Sequence, residues 1–445
     1  MRWEMFKAGS LGILKDTPIN CLLVPWTAPR TSNLERIVSE AHAGGIATLA
    51  LLQPESGGVS GAKAALQMRM DGVALEGDWL PSNVDAVRAA VGPSLLVVEL
   101  STRARMRFRS AEPILGTYQG VWPGIHIVDS SGNAEASATG SNWIYTNSGF
   151  LHAARAMTKS SIWISVRPPP DTAVSTTQYL QAIADCETVA AHWVITLDPS
   201  LSASIERSDP SALKTWAELA RMLQFFVTNQ RWQAYHSWSK LIVIQGPAQG
   251  ALLTGGIADM IGASHTPFQI LPPAELTPGS LNAKSVVLNV SHQALTTAQQ
   301  KIVNDYAKGG GVVFNPPTAW NRIASASGSR VILDHKDAKQ LGSAWQDLVQ
   351  MIRQRPLGLS IFNVPSILFN LLENNSGNQL ALELTSYADY PSENVTVHLA
   401  GKWRTVRLVE PDKPPRLLQT YPVDIGTGID IDQIGTVAVL EAEHE

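Results

Sequence analysis

Short aliphatic runs alternate with amphipathic stretches through the first half of the chain. Residues 19–25 (INCLLVP), 46–52 (IATLALL), 72–76 (GVALE) and 95–98 (LLVV) are apolar at consecutive positions, the pattern of strands covered on both faces. Between them, residues 33–43 (NLERIVSEAHA), 62–70 and 83–91 predict helices; Ser32 or Asn33 caps the first and Gly44-Gly45 ends it. Residues 114–127 predict one or two strands and residues 143–145 the start of another, although Gly, Ser and Pro blur the pattern and residues 129–141 are small and polar. Regularity returns with a strand at 162–166, a helix at 177–190, a strand at 193–197 and a long amphipathic helix at 213–227. Strand and helix alternating in this way predict a parallel sheet, and about eight strands in this length predict a (β/α)8 TIM barrel.

The second half changes character twice. A strand at 240–245 (KLIVIQ), a helix at 257–261, strands at 268–271 and 285–290 (SVVLNV), and a helix at 297–306 lead through Gly309-Gly310-Gly311 into a strand at 312–314. That order predicts a small doubly wound α/β domain. Past about residue 356 the period shortens to alternating strands, such as 380–385, 395–399 and 437–440, parted by Asn, Gly and Pro, which predicts a β-sandwich. The expected domains are 1–238, a barrel bearing the chemistry, then 239–355 and 356–445.

Composition narrows the function classes. The 445 residues carry a net charge of -4, with 44% hydrophobic and 16% charged positions. No basic excess is present to neutralise phosphates, so no nucleic-acid partner is expected. No membrane span is expected either, because the longest apolar runs are strand-sized rather than the ~20 residues a spanning helix needs. The opening MRWEMFKAGSLGILKD is charged where the apolar core of a leader would lie, so the expected location is the cytoplasm, or outside the cell with a leader removed. Cys21 and Cys186 define neither a disulfide framework nor a zinc site, and the ten histidines are scattered, so neither metal nor cofactor is expected. No G-x-S-x-G elbow, phosphate-binding loop or H-E-x-x-H pattern is present.

Candidate chemistry gathers around residues 95–109 (LLVVELSTRARMRFR), where an apolar strand runs into Glu99 and then into a row of arginines. A carboxylate at the carboxyl end of a barrel strand stands on the rim that carries catalysis. The competing role is an ion pair with Arg103 or Arg105 that closes the top of the strand. Arg103, Arg105, Arg107 and Arg109 alternate, which on an extended segment puts them on one side. Arg103 is the candidate contact for an acidic sugar or a phosphate, against the plainer reading of a solvated charged face. Glu76 and Asp78 follow the strand at 72–76, and Asp198 follows the strand at 193–197, where it also fits a helix cap. Thirteen tryptophans are present. Trp26, Trp79, Trp122 and Trp143 sit at or beyond expected strand ends, where a ring face can stack on a pyranose; core filling is the alternative for each.

The order of modules resembles the family-42 β-galactosidases and related multidomain glycoside hydrolases: a barrel, a glutamine-amidotransferase-like domain without its nucleophile, then a β-sandwich. The stretch LTTAQQKIVNDYAKGGGVVF, residues 295–314, carries that resemblance in the middle domain, which has no cysteine. The resemblance implies an acid/base glutamate after an asparagine at the end of the fourth strand, and a nucleophile at the end of the seventh. By strand count Glu99 takes the first place, with Val98 where asparagine would stand. The seventh strand reads Trp163, Ile164, Ser165, Val166, Arg167, Pro168 and offers no carboxylate, which leaves Glu76, Asp78 or Asp198 as the second acid. Glu76 is favoured, because LEGDW brings a carboxylate and Trp79 out together. Two carboxyl groups roughly 5 Å apart would retain configuration, and a pair ~6.5 to 9.5 Å apart would invert it. The expected function is carboxylate acid/base hydrolysis of a carbohydrate; the alternative is a catalytically silent barrel that binds carbohydrate or serves assembly. A homo-oligomer through the apolar middle domain is also expected.

Overall fold

The structure is a computed structural model. It describes the chain except residues 6–8, 27–31, 94, 109–110, 128–133, 137–145, 170–171, 247–254, 282–285, 317–345, 347–348, 351, 353–354, 356, 365 and 445. The chain forms two compact units: Met1–Gly120, Ser160–Ile183 and Ala191–Thr228 make the first, and Val121–Lys159, Ala184–Ala190 and Asn229–Glu445 the second.

The first unit is built on a parallel sheet of β1 (Cys21–Pro25), β2 (Ala47–Leu52), β3 (Gly72–Glu76), β4 (Leu96–Ser101), β5 (Ile114–Thr117), β8 (Ser161–Ile164) and β9 (His192–Trp193), in that order. Its helices are α1 (Ser32–Ala43), α2 (Gly58–Gln67), α3 (Pro81–Val91), α5 (Thr176–Glu187, which continues past this unit), α6 (Pro199–Glu206) and α7 (Pro210–Thr228). The sheet curls, and Met1–Trp3 joins its two edges. Arg2 N–H donates to Ile195 O at 2.8 Å beyond β9, while Leu23 N–H donates to Met1 O at 2.8 Å and Trp3 N–H to Leu23 O at 2.9 Å on β1. Arg2 bridges Leu23 in parallel sense, so hydrogen bonds run around a ring of eight parallel segments. The strand count therefore changes: β3 is fourth in the ring and β4 fifth, because the N-terminal segment is too short to show a period.

Side-chain parity fixes the lumen. Leu23, Leu49, Leu51, Ala74, Val98, Leu100 and Val194 form one buried cluster inside the ring. Two glycines keep the strands close there: a Cβ on Gly72 would lie 2.1 Å from Leu96 O, and one on Gly116 2.3 Å from Leu100 Cδ2. Glu76 pairs in register with the lumen residue Leu100, whereas Glu99 pairs with Leu75 on the opposite face of the ladder.

The second unit holds a parallel layer and a sandwich. A short hairpin, β6 (Ile125–Ile127) and β7 (Ala134–Ala136), and α4 (Ser148–Met157) belong to it, so the blurred stretch after β5 divides between the two units. The parallel layer orders β12 (Phe268–Leu271), β11 (Leu241–Ile244), β13 (Val286–Asn289) and β14 (Val312–Phe314), with α8 (Gly256–Ala263) and α9 (Thr297–Lys308). A capping box on Thr296 and Gln299 starts α9. The sandwich packs a six-stranded sheet, β10 (His236–Ser237), β16 (Ile367–Glu373), β17 (Gln379–Ser386), β23 (Val437–Glu443), β19 (Thr405–Val409) and β20 (Arg416–Leu417), on a four-stranded one. The latter orders β15 (Leu359–Phe362), β18 (Ser392–Ala400), β22 (Gly426–Ile434) and β21 (Thr420–Val423). Inward residues such as Leu382, Val397, Ile429 and Leu440 share one apolar core between the sheets.

Candidate functional site

At the carboxyl end of β3 the Glu76 carboxylate turns into the lumen and meets Arg2, whose Nη2 donates to Glu76 Oε2 and, at 3.2 Å, to Ser165 Oγ beyond β8. Arg2 is 2% exposed. Its Nε and Nη1 have no acceptor among the described residues. Buried donors of this kind are ordinarily met by water or a ligand. Asp78 lies two residues past Glu76, with Arg105 Nη1 at 3.6 Å. Burial, and after it the Asp78 carboxylate, holds the Tyr118 hydroxyl above its ordinary range, so it stays a hydrogen-bond donor. Glu76, Asp78, Tyr118, Ser165 and Arg2 thus supply charge, acceptors and donors at one end of the barrel.

Glu99 stands elsewhere. It lies within β4 rather than at its end, and its Oε1 accepts from Arg88 Nη2 at 2.7 Å and Arg107 Nη2 at 2.6 Å. Arg88 also pairs with Glu112. The ion pairing weighed from the sequence is present, with Arg88 and Arg107 in place of Arg103 or Arg105. Glu99 lines a cavity of about 240 Å³ with Leu75, Trp79, Val84, Arg105 and Arg107. Between β4 and β5 the described residues hold no α-helix, only a 3-10 turn at Arg103–Arg105, so this cavity lies where a barrel helix would pack.

The arginine row does not form one extended face, because that turn breaks it. Arg103 is fully buried, with its N–H donating to Gln119 Oε1 and its Nε to Gln119 O, both at 2.9 Å. Arg105 donates to Trp79 O at 3.2 Å. Arg109 lies outside the described residues. Asp198 caps α6: Oδ1 accepts from Leu201 N–H at 3.0 Å and Oδ2 from the Tyr179 hydroxyl at 3.1 Å. Of the candidate tryptophans, Trp79 and Trp26 both lie near the first turn of α2. Trp79 is buried, its indole N–H donates to Glu76 O at 3.2 Å, and its ring lies against Gly58. The Trp26 indole approaches Gly61 of α2. Trp122 is buried in the second unit, and Trp143 lies outside the described residues.

Arg2, Tyr118 and Ser165 were not singled out from the sequence. Only Ser165 left a signal, as a polar residue in lumen parity on an apolar strand. Among the described residues no group of His, Cys, Asp and Glu is arranged to hold a metal ion, and no helix is long and apolar enough to cross a membrane.

No family model matches the chain, and no curated protein matches it in sequence. In fold it is similar to alpha-L-fucosidase isoenzyme 2 from Paenibacillus thiaminolyticus, with a TM-score of 0.59 and 10% identity over 98% of this chain and 96% of that one. A rhamnosidase from Novosphingobium sp. PP1Y is matched with a TM-score of 0.45 and 10% identity over 81% of this chain and 38% of that one. At these identities the likeness to the fucosidase is one of fold.

Proposed function

We propose that the chain is a carbohydrate-active protein of the glycoside-hydrolase type, with its site at the carboxyl-end rim of the barrel and Glu76 as its reactive carboxylate. The observation that carries this reading is the lumen-facing position of Glu76 at the end of the fourth segment of an eight-membered ring. The resemblance to family-42 β-galactosidases assigns an acid/base glutamate to that place, though here Leu75 precedes it instead of asparagine. The fold shared with a fucosidase supports the substrate class.

Arg2 compensates the Glu76 charge, which suits a carboxylate acting as nucleophile or general base. Asp78, about half exposed beside Tyr118, is the second acid of the proposal. Glu99 would have to leave Arg88 and Arg107 to serve at the rim, and Asp198 would have to release the cap of α6; Glu76 already faces the lumen. The experiment is hydrolysis of nitrophenyl glycosides, including α-L-fucoside, α-L-rhamnoside and β-galactoside, by the wild type and Glu76→Gln. The substitution is expected to lower turnover about 10²- to 10⁴-fold with the fold retained. Unchanged turnover would remove Glu76 from the mechanism.

The clamp of Arg2 on Glu76 also favours a second reading, in which the barrel binds carbohydrate without cleaving it. A wild type that hydrolyses no glycoside yet binds one, with that binding lost in Glu76→Gln, would select that reading. The three-domain division at residues 238/239 and 355/356, and a homo-oligomer through the middle domain, belong to the same proposal. Light scattering that finds only monomer at micromolar concentration would count against the oligomer.

A further inference from the structure

A cavity of about 250 Å³ opens in the second unit, on the outer face of the six-stranded sheet. Gln379 of β17, Arg407 of β19, and Glu441 and Glu443 of β23 form its floor, and Arg231 and Tyr235 wall it. Glu441 and Glu443 are two apart on one strand, so both side chains leave the same face from positions about 7 Å apart along it. Every side chain is tied in place. Glu441 Oε1 accepts from Arg231 Nε at 3.2 Å, from Arg231 Nη2, and from Trp232 Nε1 at 2.9 Å. Glu443 Oε1 accepts from Arg407 Nη2 at 2.6 Å and Gln379 Nε2 at 3.2 Å, and Gln379 Oε1 accepts from the Tyr235 hydroxyl at 2.8 Å.

These ties leave specific valences open. Glu441 Oε1 takes three donors, yet among the described residues Oε2 has only Arg407 Nε, 3.9 Å away and beyond hydrogen-bond reach. Arg407 Nε has no acceptor among the described residues. That nitrogen is closed to solvent, whereas Arg407 Nη1, which also has no acceptor among the described residues, is open to it; one hydroxyl of a ligand can accept from Nη1 and another can donate to Glu441 Oε2. Glu443 Oε2 has no donor among the described residues and is a second acceptor for a hydroxyl. The lining carries two guanidinium groups and two carboxylates, so its charges cancel. An anion would meet Glu441 and Glu443, and a cation would meet Arg231 and Arg407. A neutral polyhydroxyl ligand suits both signs, because each hydroxyl donates and accepts. The volume lies below the roughly 300 Å³ at which sites for drug-sized ligands begin, which limits the ligand to one ring. Tyr235 supplies an aromatic wall.

We propose that this cavity is a second sugar site, taking one neutral pyranose ring by hydrogen bonds from Arg407 and to Glu441 and Glu443. It shares only the ligand class with the barrel reading and does not depend on Glu76. The test is saturation-transfer NMR with calorimetric titration of the full chain, using methyl pyranosides of glucose, galactose, fucose, rhamnose and xylose, with glucuronate as the charged control. The wild type is expected to bind at least one neutral pyranoside with millimolar affinity and glucuronate more weakly. Glu443→Gln, which is nearly isosteric, and Arg407→Met are each expected to weaken that binding about tenfold, the scale of one hydrogen bond to a charged group. Glu76→Gln is expected to leave it in place. If Arg407→Met fails to fold, Glu443→Gln decides. The proposal is overturned if the wild type binds none of the probes, if glucuronate binds more tightly than the neutral sugars, or if Glu76→Gln abolishes binding that Glu443→Gln leaves intact. Failure of the barrel reading shows instead as absent hydrolysis with this binding retained.

Discussion

Replacing Glu383 with glutamine should remove a pH dependence of stability that the second unit carries in its core. Glu383 lies on β17 between Asn370 of β16 and Val439 of β23, and is 4% exposed. Its Oε2 accepts from Asn370 Nδ2 at 3.0 Å, and Asn370 also donates to Thr188 O at 2.8 Å. Burial raises the carboxyl from 4.5 to about 8, with the Asn370 bond pulling weakly the other way. Between those values the folded chain holds a proton that the unfolded chain has released. The stabilisation is therefore complete below pH 4.5 and is lost as the pH rises through about 8. At about 1.36 kcal/mol per pH unit the loss approaches 5 kcal/mol, with about 3 kcal/mol already gone at pH 7. The glutamine of Glu383→Gln keeps an acceptor for Asn370 and has nothing to ionise. Urea unfolding at pH 5, 6, 7 and 8 should show the wild type weakening relative to the variant by a few kcal/mol across the range. Asp185, whose carboxyl burial also raises, remains in both proteins and cancels from the difference. Parallel stability curves for the two proteins would refute the reasoning.

Arg2→Met leaves Glu76 buried without its counter-charge and should cost about 3 to 5 kcal/mol in urea unfolding, less when combined with Glu76→Gln; a loss well under ~1 kcal/mol would mean the pair is not buried as described. Glu99→Gln separates the two carboxylates of the sequence reading. With Glu99 on the outer face it should cost about 1 kcal/mol of stability by loosening Arg88 and Arg107. A fall in turnover as large as that from Glu76→Gln would instead restore Glu99 to the rim.

Most of the fold was legible because its strands are continuous and its helices amphipathic. The strand expected at 72–76 is β3, that at 268–271 is β12, and the helix at 297–306 is α9 with two more residues. Each is decided by local period. Elements set by distant contacts were not legible. Nothing in MRW announces a barrel strand, since three residues have no readable period and their pairing depends on Leu23 and Ile195. The stretch after β5 belongs to the second unit through Asn147, which donates from its backbone N–H to Asp185 at 2.7 Å, and through Thr146, which donates to Asp259 at 2.9 Å. Composition alone marks that stretch only as irregular. For the candidate site, Glu76 stands out in the sequence as a strand-end carboxylate and its partner Arg2 does not, because a buried ion pair separated by 74 positions leaves no local pattern.

At Glu99, parity outranks an apparent strand end. A carboxylate after four aliphatic residues reads as the point where a strand surfaces, yet Leu100 resumes the lumen face one residue later and β4 continues to Ser101. Val98, Glu99 and Leu100 alternate in, out, in, and that signal was present in the sequence. An outward carboxylate on a barrel strand would ordinarily meet an apolar helix, at a cost in desolvation. Here a turn replaces the helix, and Arg88 and Arg107 supply the counter-charge. The turn in place of a helix among the described residues and the outward glutamate explain each other: without a helix cover Glu99 can stay charged, and with one an aliphatic residue would fit better. The same count that moves β4 to fifth place puts Glu76 at the end of the fourth segment, facing inward. An unseen first strand and the in-out alternation around Glu99 together shift the strand count by one, so that of the two carboxylates the sequence offers, Glu76 holds the lumen-facing position at the fourth segment on which the proposed function rests.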